Sequence, residues 1–513
     1  MERRQRVPSL QDYHARKSAS HARPATRLAS DTASHPWSAP ETSATALASA
    51  ERQRGADGSN GRHQRTSPAF PHGILTLPTD RRPDSSGAIH SALRHAFFGM
   101  ATVTTRNRTL LVITQVYVPD PAAVGQHIAD AAEEMARRGY DVVVYTSARG
   151  YDDPATRYPG REFRNGVRIR RLPLSSFGKR SIAIRLLAQT IFLVQATVLA
   201  LFQPGLAAVM VSTSPPFAGL AGVVVSCIRR VPLTWWVMDL NPDQMIAAGK
   251  IGPRSLAARA FEWINRATLR RATSVVALDR FMKDRLLRKL DVPAKIAVIP
   301  PWPLTERPLP SPREPNAFRE AHGLGGHFVV MYSGNHSAQN PLTTLLQATK
   351  QLAHEPRLRF VFVGGGVGKA EVDELVAGNA ANVLSLPYQP KESLDTSLAA
   401  ADLHVVSVGD ATVGIVHPCK VYGAMAVGRP ILLIGPETCP AGEILAEGGC
   451  GWHVPHGDVP ATVAALRRAS ALTDAQLDVM GRRAAEVVGS LVSRAALLEA
   501  LCNLLEPGPR PAS

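Results

Sequence analysis

The chain repeats one pattern of elements twice: a buried apolar strand, a loop, an amphipathic helix and a further strand. In the first copy LLVITQVYVPD, from Leu110, reads as strand and loop, 126–138 has helical periodicity, Gly139 ends the helix, and DVVVYTS resumes as strand. Such βαβ spacing requires a parallel sheet with both faces covered by helices. Further strands are expected at 167–172, at AAVMVSTSP (207–215), in LTWWVMDLNPD and at SVVALD (274–279), and PAKIAVIPPWP closes this half. TERPLPSPREPN then reads as a linker. The second copy holds FVVMYSG (328–334), a helix over 342–352, RFVFVGGG (359–366), NVLSLPY, strands at 400–408 and 431–434, and a mostly helical stretch over 459–504. The expected fold is therefore α/β, with two Rossmann-like, doubly wound domains facing each other across a cleft. The division follows as a low-complexity extension (1–105), a first domain (106–303), a Pro-rich linker (304–316), a second domain (317–490) and a C-terminal helix and tail (491–513). The extension, rich in Ser, Ala, Arg, Pro and His, lacks the apolar surface to offset chain entropy and is expected to be disordered.

Ligands of such sheets bind beyond the carboxyl ends of the strands. There the stretch GIVHPCKVYGAMAVGRPILL (414–433) reads as a loop, a short helix over 419–427 and a buried strand. Lys420 falls in the first turn of that helix, at the end the macrodipole already makes positive. A cation there fits an arriving anion such as a diphosphate. A solvated surface lysine is the plain alternative.

Net charge of +16 also points to an anionic partner, whether phosphorylated substrate, membrane surface or nucleic acid. No basic stripe interleaved with aromatics and no recognised nucleic-acid module is present, so nucleic acid is not expected. Five scattered cysteines without a CxxC pair speak for a reducing compartment and against a zinc site or disulfide framework. Nothing near Met1 has the apolar core of a secretory signal. IAIRLLAQTIFLVQATVLALF (182–202) has the length of a membrane span but carries Arg185, Gln189, Thr190, Gln195 and Thr197. It is expected to be partly core and partly membrane-facing, beside arginines suited to anionic headgroups.

SGNHSAQNPLTTLLQA, FVGGGVGKAEVDEL, HPCKVYGAMAVGRPILLI and GEILAEGGCGWHVPHGD, in that order, resemble the C-terminal half of a retaining family 4 glycosyltransferase. YVPDPAAVGQHIADAAEEMARRGYDVVVYTS, TSPPFAGLAG and WWVMDLNPDQMIAAG extend the likeness into the first half, and the last two look like the WbuB-like subgroup. The resemblance spans roughly 108–505. It implies a GT-B fold and retaining, hexosyl-type transfer from an NDP-sugar, held by the second domain, to an acceptor held by the first. It implies no obligatory metal and no other cofactor. The implied setting is cell-surface polysaccharide or glycolipid synthesis in the cytoplasm, with a lipid-linked or glycan acceptor and peripheral contact with anionic membrane. An NDP-sugar 2-epimerase-like enzyme and a catalytically inactive homologue are the other readings.

The residue chemistry agrees with the resemblance. Gly334 and the turn Gly364, Gly365, Gly366 allow backbone to approach phosphates, or simply make tight turns. Lys369 and Lys420 are candidates to neutralise the diphosphate. Asn335, His417 and Glu443 complete the expected donor site. Asp239 and Asp243 end a strand, where one of them could hold the acceptor hydroxyl or take its proton, with an N-cap the competing role for Asp243. Gly125 opens the first helix and is read as a phosphate or acceptor contact, or as a plain helix start. Two departures stand out. The family's pair of glutamates seven residues apart is replaced by Ile415 and Gly423, and its Arg and Lys after the first strand of the second domain give way to NHSAQN. More of the positive charge therefore falls to Lys420 and Lys369.

Overall fold

The computed structural model describes residues 108–120, 122–150, 155–175, 182–304, 315–378 and 380–506. The expected disordered extension, and all but the ends of the expected linker, lie outside the described residues.

The first lobe runs β1 (Thr109–Ile113), α1 (Ala123–Arg137), β2 (Asp141–Ser147), β3 (Arg161–Arg164), β4 (Val167–Leu172), α2 (Ile182–Leu201), β5 (Leu206–Ser212), α3 (Ala218–Arg229), β6 (Leu233–Trp236), α4 (Asp243–Ala247), α5 (Leu256–Arg271), β7 (Ser274–Ala277), α6 (Arg280–Lys289) and β8 (Ile296–Val298). Its eight strands are ordered β3-β4-β2-β1-β5-β6-β7-β8. Only the edge strand β3 is antiparallel, with Arg161 opposite Arg170. The strands that pair on both sides are almost wholly buried, as expected for a sheet covered by helices.

The second lobe runs α7 (Ala317–Ala321), β9 (Phe328–Ser333), α8 (Thr343–Gln351), β10 (Leu358–Val363), α9 (Lys369–Ala377), β11 (Val383–Leu386), α10 (Leu394–Ala399), β12 (Leu403–Ser407), α11 (Lys420–Ala426), β13 (Ile431–Ile434), α12 (Pro440–Gly448), β14 (Gly451–Val454), α13 (Val459–Ser470) and α14 (Asp474–Leu491). Its six strands are all parallel, in the order β11-β10-β9-β12-β13-β14. Strand order reverses at β1 in one sheet and at β9 in the other, so each carboxyl end there is a natural ligand position. A last helix, α15 (Arg494–Leu505), returns to the first lobe and buries Leu498, Leu501, Cys502 and Leu505 in its core.

A second connection joins the lobes at the strand ends. The loop 413–418, between β12 and α11, inserts Ile415 into the first lobe's hydrophobic core. Leu240 N donates to the Ile415 carbonyl at 3.0 Å, and Asp239 forms an isolated bridge with Val416. Arg285 Nε donates to the Val413 carbonyl at 2.7 Å. Gly414 has φ +71°, and a Cβ there would sit 2.6 Å from the Phe281 carbonyl group, so this close approach requires glycine. The carboxyl ends of the two sheets thus meet.

Ile415→Ala should remove about 2–5 kcal/mol of stability, the usual cost of truncating a buried aliphatic side chain. Urea unfolding checks this. An unchanged midpoint would show that the loop is not anchored in the first lobe.

Candidate active site

The site is built around β9, whose carboxyl end turns at Gly334 (φ +132°). The Lys420 side chain, projecting from the first position of α11, crosses this glycine so closely that a Cβ there would overlap Lys420 Cε. Its ammonium lies 5.2 Å from the centre of the Tyr332 ring. With the Asn340 amide turned so that its nitrogen donates to the Ser407 carbonyl at 2.9 Å, Lys420 Nζ donates to its oxygen at 3.3 Å. No carboxylate among the described residues forms an ion pair with Lys420. Burial lowers its pKa to about 8. The result is a half-buried ammonium held by a ring face and an amide, still largely protonated at neutral pH.

Asp239 follows β6 in the first lobe. Thr213 Oγ1 accepts from the backbone N–H of both Met238 and Asp239 at 3.0 Å, which fixes the turn. Desolvation raises the Asp239 pKa to about 6. The Cys419 thiol feels the charges of both Lys420 and Asp239, and its own burial pushes it up to about 12, so it stays a neutral packing group.

The other expected residues have more specific placements. Gly334 N donates to the Val363 carbonyl at 2.9 Å and Gly364 N to the Leu386 carbonyl at 3.0 Å, so both N–H groups serve the ends of the ladder. What these glycines supply is space: a Cβ at Gly364 would overlap the Gly334 carbonyl, and one at Gly366 would overlap Asn335 Oδ1. Gly365 lies under the Tyr388 ring, 3.1 Å from it at the Cβ position. The Asn335 carbonyl accepts from Tyr332 OH at 2.8 Å. Lys369 Nζ donates to Ser385 Oγ at 2.7 Å and to the Leu386 carbonyl at 3.0 Å, fastening α9 to β11.

Four of the expected residues have protein partners in the structure. Gly125 N donates to the Ala122 carbonyl at 3.0 Å, and its missing Cβ admits the Tyr117 backbone 3.1 Å away, so its role is packing. Asp243 is tied into a charge cluster: Lys289 Nζ donates to it at 2.6 Å and to Glu262 at 2.8 Å. It does not cap α4, whose N-cap is Pro242. Glu443 forms an ion pair with Arg280 of the first lobe. His417 is buried with both nitrogens engaged, its Nδ1 donating to Asp279 Oδ2 at 2.7 Å and its Nε2 accepting from Tyr422 OH at 2.7 Å. Asp279 Oδ1 in turn accepts from Met282 N at 2.7 Å and caps α6. His417 therefore links the two lobes.

Asp279, Tyr422, Arg280 and His336 were not singled out from sequence. The strand-end position of Asp279 was the available signal. His336 lies against the Tyr332 and Phe362 rings, with centroids 5.0 and 6.4 Å away. Burial, reinforced by Lys369, lowers its pKa to about 4 and keeps it neutral. It borders a pocket of about 200 Å³ that also includes Ser337, Asn340, Thr343, Gly368 and Glu371.

The fold is that of the GT-B class. Anabaena HepE in complex with UDP-glucose superposes with a TM-score of 0.57 at 17% identity, covering 77% of this chain and 99% of that one. WaaG, a glycosyltransferase involved in lipopolysaccharide biosynthesis, gives 0.58 at 16% identity over 78% of this chain and all of its own. Within that class, residues 122–302 match the glycosyl transferase 4-like domain and residues 327–471 match glycosyl transferases group 1, so the chain joins these two domains. It is 26% identical over 238 residues to WbjE of Pseudomonas aeruginosa, described as a probable glycosyltransferase, covering 45% of this chain and 58% of WbjE. It is 25% identical over 383 residues to WcaI of Escherichia coli K12, a glycosyl transferase assigned to colanic acid biosynthesis, covering 70% of this chain and 91% of WcaI.

Transfer that uses ionised Asp239 and protonated Lys420 should lose rate as pH falls through about 6 and again as it rises through about 8. The pH profile of kcat/KM checks this, and Asp239→Asn should remove the acid limb. A profile flat from pH 5 to 9 would exclude both roles.

Proposed function

We propose that this protein is a retaining glycosyltransferase. It moves a sugar from an NDP-sugar, without an obligatory metal, to a lipid-linked glycan acceptor in cell-surface polysaccharide or glycolipid synthesis. Its place is the cytoplasm, at the inner face of the plasma membrane. The observation that carries this reading is Lys420, a half-buried ammonium with no carboxylate among the described residues in an ion pair, on the carboxyl side of the switch strand β9. A nucleoside diphosphate supplies the missing countercharge. As the bond from the anomeric carbon to the diphosphate breaks, negative charge grows on the leaving oxygen, and a fixed cation in a poorly solvated site stabilises it. That is work a metal would otherwise do. Asp239, brought to the same seam by the first lobe, holds the acceptor hydroxyl and takes its proton as the new bond forms. The WcaI and WaaG descriptions support the polysaccharide setting, and the HepE complex supports a nucleotide-sugar donor.

The 2-epimerase-like reading needs several acid–base groups around the sugar. Of the three candidates Asp239, Asp243 and His417, the last two are held by protein partners. The donor-transfer reading needs only one.

Incubation with a panel of NDP-sugars, with and without lipid-linked acceptor, should give an acceptor-dependent glycoside of retained configuration by NMR. Inversion, or a sugar altered without acceptor, would overturn the proposal. Lys420→Ala should lower kcat by about 10²-fold or more, as loss of a key oxyanion-stabilising group does. Undiminished turnover would reduce Lys420 to a structural residue.

A further inference from the structure

Helix α2 is apolar over most of its surface, yet the first lobe covers only one side of it. Ala188, Phe192, Leu193, Ala196 and Ala200 are buried. On the other side Leu187, Val194 and Phe202 are 56, 57 and 81% exposed, and Ile184 and Val198 continue the stripe. The intervals of three, four and seven residues keep these on one face. From 184 to 202 the stripe is about 27 Å long at the helical rise. Leu174, 49% exposed, lies beside it, because Gln195 Nε2 donates to the Leu174 carbonyl at 3.1 Å. At the far end Arg229 Nη1 donates to the Leu201 carbonyl at 2.7 Å and the Gln203 carbonyl at 2.9 Å, which ties the end of α3, with exposed Ile228, to the end of α2.

The polar groups along this face are already satisfied. Thr190 Oγ1 donates to the Leu186 carbonyl at 2.9 Å, and Gln195 Nε2 also reaches the Ile191 carbonyl at 3.1 Å. Covering the face with hydrocarbon therefore leaves these donors paired. The charge pattern selects the cover. From residue 163 to residue 238 the sequence has nine Lys and Arg and no Asp or Glu. At the chain's own frequency of 42 acidic residues in 513, a run of this length would carry about six. Exposed Arg164, on the β3–β4 hairpin, belongs to that run, as does exposed Arg168, whose guanidinium pairs with Asp141.

We propose that this face of α2, with Leu174, Ile228 and the neighbouring arginines, is a docking surface for a bilayer containing anionic phospholipid. The helix lies in the plane of the membrane interface, its outer stripe among the acyl chains and the arginines at the phosphates. A second copy of the chain would set two like-charged basic faces against each other, which disfavours self-association through this surface. The proposal deepens the lipid-linked-acceptor reading, because it brings the first lobe to the surface where such an acceptor resides.

Flotation of the full chain with phosphatidylcholine vesicles, with and without phosphatidylglycerol, tests it alongside the triple variant Leu187→Ser/Val194→Ser/Phe202→Ser. The native protein should float with the anionic vesicles and be released by salt. The triple variant, with its melting temperature checked, should bind at least about tenfold more weakly. Arg164→Glu should weaken binding to the anionic vesicles alone. Because the first hundred residues are also rich in arginine, the difference between native and α2-variant protein is the deciding quantity. Equal flotation of the two, native protein left in the soluble fraction, or a dimer in light scattering that the triple variant dissolves would each overturn the proposal. Vesicle binding without sugar transfer would defeat the transferase reading and leave the docking surface standing. Transfer to a soluble acceptor without vesicle binding would do the reverse.

Discussion

The geometry of the site depends on how the loop 413–418 is seated in the first lobe. Ile415 is buried in a core that belongs to the other domain, and its carbonyl and the neighbouring Val416 pair with the strand-end segment of Asp239 and Leu240. One short loop therefore sets both halves of the candidate chemistry. Its first-lobe partner segment carries Asp239, and its continuation into α11 carries Lys420. The chain Asp279–His417–Tyr422 reinforces the link, since it runs from the cap of α6 to the helix that bears the lysine. Placing an isoleucine where the resembled family has an acid thus exchanges a polar contact for interlobe anchorage.

Burial acts on the two central groups in opposite senses. It raises Asp239 and lowers Lys420, because in each case water is withdrawn from the charged form. Three other acids near the lobe junction are occupied: Asp279 by His417, Glu443 by Arg280 and Asp243 by Lys289. The contrast between these engaged charges and Lys420 distinguishes the site from the structural ion pairs around it. A functional site tends to keep such poised groups, whereas a scaffold satisfies them.

Much of the fold was legible because its strands are continuous apolar runs between glycine turns, such as TLLVI and RFVFV. Three strands escaped, one of them β8, the three-residue IAV inside the proline-flanked PAKIAVIPPWP. β3 is the polar REFR at a sheet edge, and β14 is GWHV, whose burial is only partial. Lys420 was legible as a cation at an unfavourable helix end. The protein partners of His417, Asp243 and Glu443 were not, since residue type indicates chemistry but not partner. His417 meets a residue 138 positions earlier and Glu443 one 163 positions earlier. The glycines were read as room for phosphate, but part of that room is taken by the Lys420 stem, a contact that local spacing does not reveal.

The account rests on Lys420 receiving a diphosphate, and proton linkage tests this most directly. Calorimetric titration of the full chain with UDP and with GDP near pH 8, in buffers of different ionisation enthalpy, reports the protons exchanged on binding. An anion placed on a half-titrated ammonium must raise its pKa, so nucleoside diphosphate should bind with net proton uptake. Lys420→Met should abolish that uptake and weaken binding. Binding of the same strength in the variant, with the same proton exchange as the native protein, would contradict the account.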